Sequence, residues 1–218
     1  MTAILNQHEN YLQADQAYGF PLLIKNLLSR AKVVSGDKKI HYADKTSYTY
    51  HEFFKRVNRL ANVLKGLNLQ KGDVVAVMDW DTHRYLECYF AIPMCGYILQ
   101  TVNVRLSEDK VLYTINHAKP KALLLNSEFS PMIKSHTQDA PSVEHVIWLD
   151  DNNTPMPSYA QGEYEAMLAQ ASDEYEFEDF DENTIATTFY TSGTTGNPKG
   201  VFFSHRQIVL HTLVVAIG

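Results

Sequence analysis

Residues 73–78 read DVVAVM, a nearly continuous apolar run of the length of one β-strand. Strands with this composition are typically buried on both faces of a parallel sheet. Upstream, Thr49 and Glu52 form the T-x-x-E pattern of a capping box, and the helix that it opens keeps its apolar residues on one face until Gly66. The sequence therefore predicts a capped helix followed by a buried parallel strand.

The alternation of helix and strand patterns continues along the chain. Helices are predicted at residues 22–32, 82–97, 107–118, 131–137 and 159–170, and strands at residues 98–102, 121–125 and 143–149. Pro93 should kink or end the second of these helices, and Ser107 suits the N-cap of the third. Two short strand patterns, 39–42 and 47–50, predict a hairpin. The spacing predicts crossover connections, so we expect an α/β fold with a largely parallel sheet flanked by helices.

The composition excludes several functional classes. The 218 residues carry 19 Lys and Arg against 25 Asp and Glu, a formal charge of −6, and 45% are hydrophobic. This balance is ordinary for a globular protein and gives no support to nucleic-acid binding, which usually requires a basic surface. Seven of the acidic residues lie in residues 173–182, DEYEFEDFDE. We interpret this segment as a solvated connection whose aromatic side chains reach the core, and binding of a metal or a basic partner is the alternative.

Cysteine content and hydropathy indicate the compartment. Cys88 and Cys95 lie in a predicted helix, and no paired short spacing of metal ligands accompanies them. We predict two buried free thiols and a reducing environment. The first basic residue is Lys25, and no run approaches the roughly 18 apolar residues of a membrane span. These observations predict a cytoplasmic protein without an integral membrane segment.

A glycine-rich loop carries the strongest functional signal. Residues 185–190, IATTFY, are strand-like and run into residues 191–200, TSGTTGNPKG, which contain three glycines, four hydroxyl side chains and one lysine. Glycines allow several backbone N–H groups to face one point, and Lys199 adds a positive charge suited to phosphate. We predict a polyphosphate-binding loop. A hairpin turn that binds nothing is the alternative, although hairpin turns usually have only two to five residues.

The loop does not follow the Walker A pattern G-x-x-x-x-G-K-[ST]. Counted from Gly193, the second glycine falls on Pro198 and the final hydroxyl residue falls on Gly200. Residues 201–203, VFF, predict a strand where a Walker loop opens a helix. A P-loop NTPase, which would hydrolyse ATP without any carboxylic acid, is therefore disfavoured.

Residues 190–206, YTSGTTGNPKGVFFSHR, resemble the signature of the adenylate-forming synthetases. This superfamily contains acyl-CoA ligases, peptide-synthetase adenylation domains and firefly-type luciferases. Residues 49–64, 70–78 and 100–125 resemble its early blocks, so the resemblance covers nearly the whole chain. The NVRL, INHA and SHRQIVLHT segments are most similar to the medium- and long-chain fatty-acid–CoA ligases, although Val104 stands where that branch often has proline.

The resemblance implies a reaction in two halves. A carboxylate attacks the α-phosphorus of Mg·ATP and forms an acyl-adenylate and pyrophosphate, and the thiol of coenzyme A then displaces AMP. The implied cofactors are ATP, Mg²⁺ and coenzyme A, and the favoured substrate is a fatty acid. Short branched acids, sulfur-containing propionates, aryl acids and amino acids stay open as alternatives. Relatives in the fatty-acid branch include homodimers, so the resemblance also implies a possible homodimer.

The resemblance assigns roles within the loop. The residues that would contact the ATP phosphates are Thr191, Ser192, Gly193, Thr194, Thr195, Gly196 and Lys199. Lys199 would be the catalytic positive charge, Thr191 would provide the hydroxyl ligand of Mg²⁺, and Pro198 would stiffen the loop. The reaction requires positioning and charge stabilisation at the β- and γ-phosphates.

By the same resemblance, residues 1–218 form the N-terminal part of an AMP-binding acyl-activating domain, without its C-terminal domain. We expect the adenine, acyl and coenzyme A sites to lie downstream, and we expect no complete turnover by the isolated chain. A catalytically inactive fragment is the alternative. Residues 207–217, QIVLHTLVVAI, predict a helix that is apolar nearly all round and should be buried by further elements.

Several histidines lie outside any catalytic pattern. His205 follows the loop, and we expect it to have a structural role. The scattered residues His83, His117 and His211 are expected to be unrelated to catalysis.

Overall fold

Alternating strands and helices make up the chain, which the computed structural model describes at residues 19–133, 136–191 and 196–217. The elements in chain order are α1 (Ile24–Ser35), β1 (Lys39–Tyr42), β2 (Thr46–Thr49), α2 (Tyr50–Gly66), β3 (Val74–Met78), α3 (His83–Met94), β4 (Ile98–Thr101), α4 (Glu108–Ala118), β5 (Ala122–Asn126), a 3-10 turn (Ser127–Met132), α5 (His136–Asp139), β6 (His145–Leu149), β7 (Gly162–Glu163), α6 (Tyr164–Gln170), β8 (Ile185–Thr191), β9 (Lys199–Ser204) and α7 (His205–Ile217).

Seven strands of the described chain form one sheet in the order β7-β6-β5-β3-β4-β8-β9. Neighbouring strands from β7 to β8 are parallel, and β9 is antiparallel to β8. The pair β1 and β2 forms the predicted hairpin outside this sheet. The prediction of an α/β fold with a largely parallel sheet flanked by helices is confirmed.

Helices cover both faces of the sheet. On one face, α1, α2, α3 and α6 enclose a first core that contains Phe53, Leu60 and Val77. On the other face, α4 contributes Val111 to a second core that contains Met78. Because side chains alternate along a strand, β3 supplies both cores and is apolar at every position.

Helices α2 and α3 begin at capping threonines. The Thr49 hydroxyl accepts a hydrogen bond from the backbone N–H of Glu52 at 3.2 Å, as the capping pattern predicts. The Thr82 hydroxyl accepts the N–H of Tyr85 at 3.3 Å. Ser107 occupies the N-cap position of α4 as predicted, but its side chain makes no capping hydrogen bond. Local sequence therefore fixes the start of α2 and α3 more firmly than the start of α4.

Helix α1 begins without a cap from its own sequence. Its N-cap residue is Leu23, which has no side-chain acceptor. The backbone N–H of Leu22 donates to a carboxylate oxygen of Glu182 at 2.6 Å. The N–H of Ile24 donates to Nδ1 of His205 at 3.3 Å. Both acceptors lie far later in the chain, so tertiary contacts satisfy the first N–H group of this helix and the N–H group just before its N-cap.

Two predicted helices have different boundaries in the structure. Of the helix predicted at 131–137, residues 134 and 135 lie outside the described residues; before them the chain forms the 3-10 turn, which begins where the Asn126 side chain accepts the N–H of Glu128, and after them the short α5. The helix predicted at 159–170 is reduced to α6, because β7 first pairs with β6. Pro93 lies in the last turn of α3, which ends one residue later, as expected for proline.

The apolar helix predicted at 207–217 forms α7, and the described chain covers only one side of it. Val209 is buried, whereas Leu213 is 45% exposed and Val214 is 70% exposed. α7 packs against α1 and β9 on one side. The other side of the helix therefore presents apolar side chains on the surface of the described chain.

Residues 173–182, which we name the acidic strap, connect α6 to β8. Tyr175 and Phe177 of the strap pack against the first core. Asp179 forms an ion pair with Lys25 of α1 at 2.8 Å. Among the described residues there is no group of three or more His, Cys, Asp or Glu side chains placed to hold a metal ion. The interpretation of the strap as a connection with its aromatic side chains in the core is confirmed.

Both cysteines are buried and free, as predicted. Burial raises the pKa of the Cys95 thiol to about 12, so this thiol stays protonated at neutral pH. Within the part of the chain that the structure describes, no helix has the length and apolar character needed to cross a membrane.

Candidate phosphate-binding loop

The predicted phosphate loop begins and ends on two paired strands. β8 ends at Thr191, β9 begins at Lys199, and these two residues are direct partners in the antiparallel ladder. Side chains of directly opposed residues lie on the same face of a sheet. Both residues are exposed, and the Thr191 hydroxyl lies 3.5 Å from the carbonyl oxygen of Lys199. The fold therefore places the side chains of Thr191 and Lys199 on one face of the sheet, at the loop end of the hairpin.

The structure describes part of the loop between these two residues. The predicted phosphate contacts that lie outside the described residues are those of Ser192, Gly193, Thr194 and Thr195. Gly196 has a φ of +96°, a backbone conformation that glycine adopts readily and other residues rarely do. Pro198 is buried, whereas Lys199 is exposed. The proline thus anchors the chain immediately before the lysine.

The element that follows the loop distinguishes it from a Walker loop. β9 begins at Lys199 and includes residues 201–203, which confirms the predicted strand. α7 begins only after β9 has ended. A Walker loop opens a helix at its lysine instead. The connection at 192–198 is also longer than a usual hairpin turn of two to five residues. The strand after the loop separates it from a Walker loop.

The face of the sheet that carries Thr191 and Lys199 also carries apolar side chains. Phe189 and Phe203 stack on this face with ring centroids 5.6 Å apart. Further along, a cavity of about 500 Å³ opens between α1, α3 and α7. Leu27 and Ile208 are among its apolar lining residues. A polar loop end and an apolar cavity therefore share one face of the sheet.

The opposite face connects the loop to α4. The hydroxyl oxygen of Tyr190, the residue before Thr191, lies 2.8 Å from Nδ1 of His117. The two rings meet edge to face, with centroids 5.7 Å apart. The sequence analysis missed this contact, since the two residues are 73 positions apart and no local pattern links them.

His205 has a structural contact, as expected. Its side chain is fully buried, and Nδ1 accepts the hydrogen bond from the N–H of Ile24, while Nε2 has no partner. Burial lowers the pKa of His205 to about 4. The imidazole is therefore neutral at neutral pH, so it adds no positive charge next to the loop.

We expect His205 to make the folded state sensitive to mild acid. Between about pH 6.5 and pH 4, the unfolded state gains a proton on this imidazole that the folded state does not accept, so stability falls as the pH falls. The loss across this window should be about 1–3 kcal/mol. Urea unfolding measures this loss of unfolding free energy in the wild type and in His205→Asn. The asparagine keeps a hydrogen-bond acceptor but does not titrate.

The matched control is His211→Asn, since His211 lies on the same helix and is exposed. This control should keep the pH dependence of the wild type, whereas His205→Asn should lose most of it between pH 6.5 and 4. Equal pH dependence in His205→Asn and the wild type would contradict the assignment.

Comparison with known proteins agrees with this geometry. The profile of the AMP-binding enzyme family matches residues 28–217. The medium-chain-fatty-acid–CoA ligase of Ectopseudomonas oleovorans is 34% identical over 202 residues, which are 90% of this chain and 37% of that protein. The 3-methylmercaptopropionyl-CoA ligase of Ruegeria lacuscaerulensis is 32% identical over 198 residues, which are 88% of this chain and 37% of that protein.

A solved structure shares the fold. ATP-bound MatB from Rhodopseudomonas palustris superposes with a TM-score of 0.76 at 26% identity, over 90% of this chain and 37% of that one. The chain thus spans a little over a third of the length of the relatives that it matches. From the family match and the shared architecture, this chain belongs to the AMP-binding enzyme family.

Proposed function

We propose that this chain supplies the ATP-phosphate site of an AMP-forming acyl-CoA ligase that activates a fatty acid. The observation that carries the proposal is the hairpin that pairs Thr191 with Lys199, in a chain of the AMP-binding enzyme family. Lys199 would bind the phosphates as a point charge, and the glycine at 196 would let the backbone approach them.

The proposed reaction has two half-reactions. The carboxylate of the acid attacks the α-phosphorus of ATP, forms an acyl-adenylate and displaces pyrophosphate. The thiol of coenzyme A then attacks the acyl carbonyl and displaces AMP, which leaves acyl-CoA. Negative charge accumulates on the β- and γ-phosphates as the bond to the α-phosphorus breaks, and the ammonium group of Lys199 would oppose this charge.

The exposed hydroxyl at the end of β8 fits a magnesium ion. Mg²⁺ prefers oxygen ligands and is usually held by one or two protein groups together with substrate phosphates and water. The Thr191 hydroxyl is exposed, and its contact with the Lys199 carbonyl is long at 3.5 Å, so little would oppose its turning toward a metal. We propose Thr191 as a ligand, and the ion would supply further positive charge to the phosphates.

A fatty acid is the acid that we propose. The apolar cavity of about 500 Å³ on the Lys199 face could accept part of an aliphatic chain. A medium-chain-fatty-acid–CoA ligase is among the similar proteins, and so is a ligase of a sulfur-containing propionate. The cavity supports an aliphatic acid over an amino acid, because its lining is mostly apolar.

Residues 1–218 would form the N-terminal part of the acyl-activating domain, and the chain alone would not complete turnover, since it spans 37% of the length of its relatives. The free buried thiols support a cytoplasmic location. A homodimer is proposed for the protein that carries this chain, and light scattering would test it.

The test is acid-dependent exchange between ATP and labelled pyrophosphate, measured in the protein that carries this chain. Octanoate or palmitate should stimulate exchange more strongly than benzoate or 3-methylmercaptopropionate. Release of ADP and phosphate without pyrophosphate would refute adenylation. If benzoate stimulated exchange most strongly, the result would support adenylation but refute the fatty acid as the substrate.

A further inference from the structure

The end of β8 extends beyond its parallel neighbour. The ladder between β4 and β8 pairs Thr101 with Phe189 as its last partners. Tyr190 and Thr191 lie beyond that point and pair only with β9 in the described sheet. A strand end that has lost the ladder on one side is held less firmly than the middle of the strand. The loop starts from this end.

A side-chain contact holds this end from the opposite face. Tyr190 lies on the face of the second core, where its hydroxyl oxygen is 2.8 Å from Nδ1 of His117 in the last turn of α4. Tyr113, one turn earlier, packs against the His117 ring with centroids 5.7 Å apart. Burial raises the pKa of Tyr190, so its hydroxyl stays protonated and can donate to Nδ1.

The register connects this contact to the proposed phosphate site. Tyr190 pairs with Gly200, and the Tyr190 ring lies above it, with ring carbons 3.5 Å from the position of a Cβ there. Thr191 and Lys199 are the next pair of residues in the same ladder. A hydrogen bond to Tyr190 therefore acts one residue away from both polar groups of the site.

We propose that His117 and Tyr190 are positioning residues that fix the base of the phosphate loop, so that Thr191 and Lys199 are held in place for ATP. This inference rests on the proposed function of the loop. Neither residue touches the phosphates in this view, and α4 acts on the site through Tyr190.

Calorimetric titration of the protein that carries this chain with Mg·ATP tests the inference. Tyr190→Phe and His117→Phe each remove the hydrogen bond and keep a ring, and each should weaken Mg·ATP binding about two- to tenfold. The double variant should bind no more weakly than either single variant, because both changes remove the same bond. In His117→Asn, the amide oxygen can occupy the place of Nδ1 and accept the hydrogen bond. This variant should therefore bind Mg·ATP more tightly than His117→Phe and nearly as tightly as the wild type.

Matched controls lie on β1. His41→Phe and Tyr42→Phe make the same chemical changes in the separate hairpin, and they should leave Mg·ATP affinity unchanged. Thermal unfolding of every variant separates a change in the site from a loss of the fold. A positioning role predicts weaker binding in variants whose melting temperature matches that of the controls.

The outcomes separate this inference from the function on which it rests. Suppose that Lys199→Ala abolishes Mg·ATP binding, as the proposed function requires. The positioning role would then be overturned by unchanged affinity in Tyr190→Phe and His117→Phe, or by additive losses in the double variant. Binding that Lys199→Ala leaves intact, or no Mg·ATP binding by the wild-type protein that carries this chain, would overturn the proposed function and the positioning role with it. Loss of affinity that His117→Asn fails to restore would also overturn it.

Discussion

Replacing Lys199 by methionine is expected to reduce acid-dependent ATP–pyrophosphate exchange by about 100- to 1000-fold, the loss typical of removing one group that stabilises transition-state charge. Lys199 is exposed and is the first residue of β9. It pairs with Thr191 at the end of the hairpin that carries the loop. Methionine keeps much of the length of the side chain but removes the charge. Exchange kinetics in the protein that carries this chain measure the effect.

The controls for this prediction separate charge from position. Lys199→Arg keeps the positive charge but changes its shape, so it should retain more activity than the methionine variant. Lys39→Met removes an exposed lysine from β1, outside the main sheet, and should leave exchange unchanged. Exchange by Lys199→Met within threefold of the wild type would show that this ammonium group does not stabilise the leaving pyrophosphate.

Replacing Arg56 by methionine is expected to destabilise the fold by about 3–5 kcal/mol, since it leaves a buried carboxylate without its cation. Arg56 of α2 donates to Glu87 of α3 at 2.6 Å and to Glu165 of α6 at 2.7 Å. Glu87 is fully buried and also accepts hydrogen bonds from the hydroxyls of Tyr48 and Tyr164. The guanidinium group of Arg56 in α2 is thus bonded to carboxylates of both α3 and α6. Urea unfolding measures the change in free energy.

The matched control is Arg59→Met on the same helix. The Arg59 side chain is 28% exposed against 14% for Arg56, and it pairs with Glu52 at 3.1 Å. Ion pairs at this degree of exposure contribute less than about 1 kcal/mol. If Arg56→Met cost no more than Arg59→Met, the buried carboxylate would not depend on its arginine.

The sequence was sufficient to predict the sheet because each central strand is buried on both faces. An unbroken apolar run such as β3 has few alternatives, and the Thr49 cap marks the start of the preceding helix. The 3-10 turn and β7 were not predictable in the same way. The turn depends on one side-chain hydrogen bond from Asn126, and β7 is only two residues long.

The candidate site was predictable where its residues are consecutive and was missed where they are not. The glycines and hydroxyl residues of the loop, together with Lys199, predict a phosphate site within ten positions. The contact between His117 and Tyr190 spans 73 positions, and the Glu87 contacts join elements that only packing brings together. A histidine in an amphipathic helix carries no local sign of its partner.

The start of α1 has a consequence for the order in which the molecule assembles. Glu182 accepts the N–H of Leu22, just before the helix, and His205 accepts that of Ile24, its first residue; these acceptors lie 160 and 181 residues later in the chain. During synthesis, α1 leaves the ribosome long before either acceptor exists, and closing so long a loop carries an entropic cost that local contacts do not. These two contacts at the start of α1 are therefore expected to form late in folding, when the helix can already pack against α2 and α3, and until then the start of α1 should stay open to proteases and chaperones.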